Sequence, residues 1–125
     1  MAVQRFGALA LGAFLVFAGT TQARAATPEA AEVMTTVHQF VDGFNKGDVK
    51  SGAAACASPV SIIDEFPPHE WHGPNACVDW SNAYNANAEK NGITDGFVTL
   101  GTPWHVDVTG ASAYAVIPSR YAYKQ

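Results

Sequence analysis

The sequence predicts an α+β domain in which about three helices pack on a curved antiparallel sheet. Two observations carry this reading. Apolar residues recur at helical spacing through the first part of the chain, and from Ile93 onward they alternate with polar ones at a period of two. Proline and glycine sit at the boundaries between these stretches, where helices start and stop. No internal repeat, low-complexity tract or second domain interrupts the pattern.

The first residues are expected to lie outside the fold. Arg5 precedes an apolar run, Gly7 to Gly19, and Ala23-Arg24-Ala25 has the small-x-small form of a cleavage site. The run is about 13 residues, short of the roughly 18 to 20 that cross a bilayer. Residues 1–25 therefore read as a secretory signal peptide and 26–125 as the mature domain, periplasmic or secreted, with no membrane association after cleavage. Roughly 100 residues suffice for one core.

Thr27-Pro28-Glu29 supplies an N-cap, a proline at the first helical position and an acid that suits the helix dipole. Val33, Val37, Phe40, Val41 and Phe44 then share one face, which predicts a helix over 28–46 closed by Gly47. Asp48 caps a shorter second helix through KSGAAACA, ended by Pro59, and Val60 to Phe66 reads as a strand. Gly73-Pro74 opens a third helix and Asn91-Gly92 closes it, with Cys77, Trp80, Tyr84 and Ala88 on one face. Phe97, Val98 and Leu100 lead into a bend at Gly101-Thr102-Pro103. Trp104, Val106 and Val108 then alternate with His105, Asp107 and Thr109. A turn over Thr109 to Ser112 returns the chain as a partner strand to Lys124, bent near Pro118.

Charge and cysteine content narrow the partners. The chain has 7 Lys and Arg against 11 Asp and Glu; removing Arg5 and Arg24 with the leader gives a net charge of about −6. Lys46, Lys50, Lys90, Arg120 and Lys124 are scattered, so nucleic acid and anionic membrane, which need clustered cations, are poor partners. A small molecule or another protein is expected instead. Cys56 and Cys77 both lie in the exported part. They either bridge, closing a loop of about 20 residues at a gain of roughly 3 kcal/mol, or serve as two small buried apolar residues.

The order of "VHQFVDGFNKGD", "SIIDEFPPHEWHG", a helix holding "CVDW", and "GFVTLGTPWHVDVTGASAYAV" resembles a SnoaL-like domain of the nuclear transport factor 2-like superfamily. The likeness spans essentially the whole mature chain. Its most specific elements are Phe44-Asn45-Lys46-Gly47-Asp48 and the hairpin from Val108 to Tyr114. It implies a cone-shaped fold with a cavity between helices and sheet. Relatives of that fold include cyclases, isomerases and dehydratases that use acid/base residues and need no cofactor. They usually continue with one or two more strands, so this chain is expected to lack its last strands and to show an open edge suited to homodimer pairing.

Candidate functional residues centre on Ser61 to Gly73. If Val60 to Phe66 is a strand, Val60, Ile62, Asp64 and Phe66 share the inward face, while Glu65 faces away. An inward carboxylate among hydrophobes can act as general acid or base, can hydrogen-bond a ligand, or can pair structurally with a donor such as Trp80 or Tyr84. His69 and His72 are candidate helpers to a catalytic Asp64. They make a poor metal pair, because Pro67-Pro68 imposes extended geometry in which the two imidazoles diverge. Trp71, Trp80, Tyr84, Phe66 and Tyr114 are the candidate ligand contacts, His105 is placed on an exposed sheet face, and no metal or cofactor is expected. The function expected is binding of a small hydrophobic or aromatic molecule, with acid/base catalysis as an extension. The alternative is a non-catalytic dimerising interaction module of the same fold.

Overall fold

The computed structural model describes residues 27–125, and the expected leader lies outside the described residues. Among the described residues the fold is mixed α+β, with three helices and six strands in antiparallel pairs.

Helix α1 (Pro28–Lys46) begins as its cap residues dictate: the Thr27 hydroxyl accepts from Ala30 N at 3.2 Å, and Pro28 occupies the first turn. The Glu29 carboxyl is held below its ordinary range by a backbone hydrogen bond and by Thr27. At the other end Gly47, at φ 67°, donates to Phe44 O while Asp48 N reaches Gly43 O at 2.8 Å. This paired closure satisfies carbonyls that the helix end leaves free. Asp48 at once caps helix α2 (Val49–Ala53) by accepting from Ser51 N at 2.9 Å. The two helices cross through glycine: a Cβ built on Gly43 would lie 2.6 Å from Gly52 Cα, so no larger residue fits that contact.

Strands β1 (Val60–Ile63) and β2 (Glu70–Gly73) form a hairpin in the register Val60↔Gly73 to Ile63↔Glu70. The sequence predicts one strand here, Val60 to Phe66, before the third helix; the structure ends it at Ile63 and adds β2 as its partner. The Pro67-Pro68 segment reverses the chain. His69 adopts φ 77°, its N–H reaches Phe66 O, and its carbonyl accepts from Asp64 N at 3.0 Å. Helix α3 (Ala76–Asn91) consequently starts after a Pro74-Asn75 turn and ends on Gly92, again left-handed at φ 67°.

Strands β3 (Thr94–Leu100), β4 (His105–Thr109), β5 (Ser112–Val116) and β6 (Ser119–Lys124) make two antiparallel pairs, β3 with β6 and β4 with β5. They are two arms of one bent ribbon. Gly101 N donates to Pro118 O at 2.8 Å and Trp104 N to Val116 O at 2.9 Å, carrying the pairing across the bend. Pro103 and Pro118, which have no N–H to give, interrupt the ladder there. The β structure is thus three two-stranded sheets and not one continuous sheet.

Among the described residues the buried apolar core is small: Trp71, Ala76, Cys77 and Trp80. Phe40, Phe44, Val60, Ile62, Phe66 and Ala83 pack around it half-buried. A disulfide between Cys56 and Cys77, with Cα atoms 6.6 Å apart, ties the segment after α2 to α3. In so small a core that crosslink matters, since closing a loop of this size contributes about 3 kcal/mol. The bridged alternative for the two cysteines is the one the structure holds.

Candidate functional site

A cavity of about 420 Å³ opens between the helices and the ribbon. Helix α1 lines it with Val37, Phe40, Val41 and Phe44, the stripe expected from their spacing. Helix α3 adds Trp80 and Tyr84, one turn apart, and the loop after β1 adds Asp64, Glu65 and Phe66. Val98 and Leu100 of β3 and Tyr121 of β6 close the sheet side. Val98 and Tyr121 are direct cross-strand partners, so their side chains emerge on the same face.

The aromatic side chains form one connected wall. Phe44 meets Tyr84 edge-on at 4.8 Å between centroids, and Trp80 and Tyr121 at 5.7 and 6.3 Å. Such pairs contribute roughly 0.5–1.5 kcal/mol each beyond their buried area. Phe66 stands between Tyr84, 6.0 Å away, and Trp71, 5.1 Å away. Trp71 is therefore behind the wall, buried, and supports Phe66 without lining the cavity itself.

Two polar arrangements sit in this apolar frame. Asp64 is half-buried; one carboxylate oxygen accepts from Trp80 Nε1 at 2.8 Å and the other from Glu65 N at 2.6 Å. The indole was among the partners its sequence position suggested. Elsewhere in the same lining, the phenols of Tyr84 and Tyr121 hydrogen-bond each other at 2.5 Å. Burial, reinforced by the bond from Tyr84, pushes the Tyr121 phenol well above its usual range, with smaller contributions from Tyr84, Tyr123 and Glu65 as charges. Gly96 makes room for the pair, because a Cβ there would collide with Tyr84 Oη and lie 2.7 Å from Tyr121 Oη.

The structure brings together Asp64, Phe66, Trp80 and Tyr84 and separates the other candidates from them. His69 is exposed in the hairpin loop, where its Nδ1 donates to the Asp64 carbonyl at 3.2 Å. That contact is to backbone, so the imidazole braces the loop and does not face the Asp64 carboxylate. His72 is on the exposed side of β2, with Nε2 donating to Glu70 Oε2 at 3.2 Å and Nδ1 2.9 Å from Ser61 Oγ. This hydroxyl–imidazole–carboxylate chain has the connectivity of a nucleophile triad. All three side chains are exposed and none lines the cavity, so it reads as a cross-strand surface network worth roughly 0.2–1 kcal/mol. Tyr114 is the clearest correction among the ligand contacts: it is 65% exposed, opposite Asp107 in the β4–β5 register and 5.9 Å from the ring of His105. Its phase on β5 puts it on the solvent face, as His105 was expected to be.

Glu65 and Tyr121 also border the cavity, and neither was among the candidate contacts. β1 ends at Ile63, yet the alternation of exposure continues beyond it: Asp64 and Phe66 are half-buried and Glu65 between them is exposed, as their period predicts. Asp64 and Phe66 line the cavity, and the exposed Glu65 borders it as well. Tyr121 is placed by its pairing with Val98, a register that its local sequence does not specify.

No protein-family model matches the chain, and no curated protein matches it either.

Proposed function

We propose that the chain is an exported small-molecule-binding domain, a SnoaL-like member of the nuclear transport factor 2-like cone fold, whose cavity takes a small hydrophobic or aromatic molecule. The observation that carries this reading is the 420 Å³ aromatic cavity with one fixed carboxylate and one phenol pair among its walls. Pockets for small ligands have this composition: mostly apolar lining and a few placed polar groups that set orientation. Export is supported by the Cys56–Cys77 bridge, which persists in oxidising compartments.

The same geometry suits acid/base chemistry without a cofactor. Asp64 is the proton-transferring group, held by Trp80 Nε1 and Glu65 N, and the Tyr84–Tyr121 pair donates toward oxygen on the ligand. His69 and His72 take no part in that arrangement.

The test is an unbiased ligand screen by native mass spectrometry, repeated on Val41→Trp, which fills the cavity from α1. Binding of neutral aromatic compounds that is lost in Val41→Trp is the expected result. Ligands that bind both proteins equally would place binding elsewhere and sink the proposal. A second reading, the dimerising interaction module, draws on the exposed aromatic residues Trp104 and Tyr114, 77% and 65% accessible on the ribbon. Light scattering that shows a tight dimer with no ligand uptake in the screen selects it instead.

A further inference from the structure

The charge of the cavity lining carries an inference about the ligand, and it rests on the cavity being the binding site. Among the described residues that line it are two carboxylates, Asp64 and Glu65, and no lysine, arginine or histidine. Six of the lining residues are aromatic. Aromatic ring faces are negative and attract cations, most strongly where water is excluded. We infer that the cavity selects a ligand bearing a positive charge on a hydrophobic or aromatic body, that is, an organic ammonium compound.

Three features of the site support this. Both Asp64 oxygens already accept a hydrogen bond, yet each keeps a lone pair for a further donor. Trp80, whose Nε1 bonds the carboxylate, and Phe66 line the cavity beside it and add aromatic surface there. Glu65 is exposed while still lining the cavity, so negative charge also stands at the mouth, where it draws cations in. Asp64 and Glu65 together give the lining a negative potential. An anionic ligand meets that same potential with no cation to offset it. The phenol pair remains free to hydrogen-bond a neutral oxygen at the other end of the ligand.

The experiment compares three probes of one shape and different charge, 1-naphthylmethylamine, 1-naphthylmethanol and 1-naphthoate, by calorimetric titration of the intact protein at pH 7. The expected order is ammonium tightest, alcohol about tenfold weaker and carboxylate weakest, with added salt eroding only the ammonium advantage. Glu65→Gln and Asp64→Asn are each expected to shrink the ammonium-to-alcohol ratio, and their double variant to bring it within about twofold of unity. Circular dichroism checks that each variant is folded. Alcohol binding as tight as ammonium, or a preference that survives the double variant, overturns the charge inference and leaves the cavity reading standing. Failure of all three probes to bind at millimolar concentration overturns both.

Discussion

The Asp64–Trp80 bond is the contact on which the proposed site most depends, and its worth can be predicted from its surroundings. Hydrogen bonds to a charged group contribute roughly 1.5–3 kcal/mol net, against about 1 for a neutral pair. Asp64 is half-buried and opens on a cavity, so partial solvation places this bond toward the lower end of that range. Trp80→Phe removes the donor and also thins contacts with Phe40 and Phe44, whose rings lie 5.4 and 5.7 Å from the indole, for a total loss of about 2–4 kcal/mol. Asp64→Ala strands the indole N–H and Glu65 N beside a solvent-accessible space and is expected to lose about 1–2 kcal/mol. The double variant isolates the bond: the two losses should fall short of additivity by about 1.5 kcal/mol. Urea unfolding of the four proteins at pH 7, with the disulfide intact, measures this directly. A coupling under about 0.5 kcal/mol, the level at which distant sites add, would refute the claim that Trp80 fixes the carboxylate.

Three further predictions follow from other contacts. Gly43→Ala is expected to lose more than about 2 kcal/mol despite alanine's better helix propensity, because its Cβ meets Gly52 backbone 2.6 Å away. Gly52→Ala, whose nearest neighbour is Phe40 O at 3.3 Å, should stay within about 1 kcal/mol of the parent; thermal melts showing the reverse order contradict the crossing geometry. Cys56→Ser with Cys77→Ser should lower stability by about 3 kcal/mol, and a reductant should abolish the difference between that variant and the parent. Tyr121 has a folded-state pKa raised above the ordinary 10.0, so the folded protein holds its proton where the unfolded chain releases it. Stability is therefore full below pH 10 and falls as pH rises beyond it, and Tyr121→Phe should flatten that decline in melts between pH 8.5 and 11.5. An equally steep decline in the variant assigns it to other groups.

The elements fixed by local chemistry were legible in the sequence, and those fixed by pairing were not. Thr27, Pro28 and Gly47 bound α1 with no reference to the rest of the chain, and its apolar stripe faces the cavity as its spacing requires. Asp64 was legible because it closes a short alternating run whose other members are apolar. The β1–β2 hairpin was harder, because two prolines and a histidine lack the Asn-Gly signature of a tight turn, and His69 at φ 77° is not a conformation its residue type announces. Tyr114 and Tyr121 are alike in composition and neighbourhood; only the registers Asp107↔Tyr114 and Val98↔Tyr121 send one to solvent and the other to the cavity.

A shared device explains why the cavity stays open in a fold with so small a core. Asn45 Nδ2 donates to Val98 O at 2.8 Å and its Oδ1 accepts from Val98 N at 2.7 Å. One side-chain amide thus makes both bonds that a neighbouring strand would make to β3, whose other edge is taken by β6. The contact covers part of an edge that is otherwise open to association. It also sets the distance between the end of α1 and β3 by polar geometry, so apolar collapse does not decide it. Phe44, next to Asn45 on α1, and Val98, the residue that the amide holds on β3, both line the cavity. The rigid amide fixes the spacing, Gly96 leaves room for the phenol pair, and Trp80 orients Asp64. Two of the three act at β3 and one at α3, which is how the polar groups of the cavity are positioned although the buried core among the described residues comprises only Trp71, Ala76, Cys77 and Trp80.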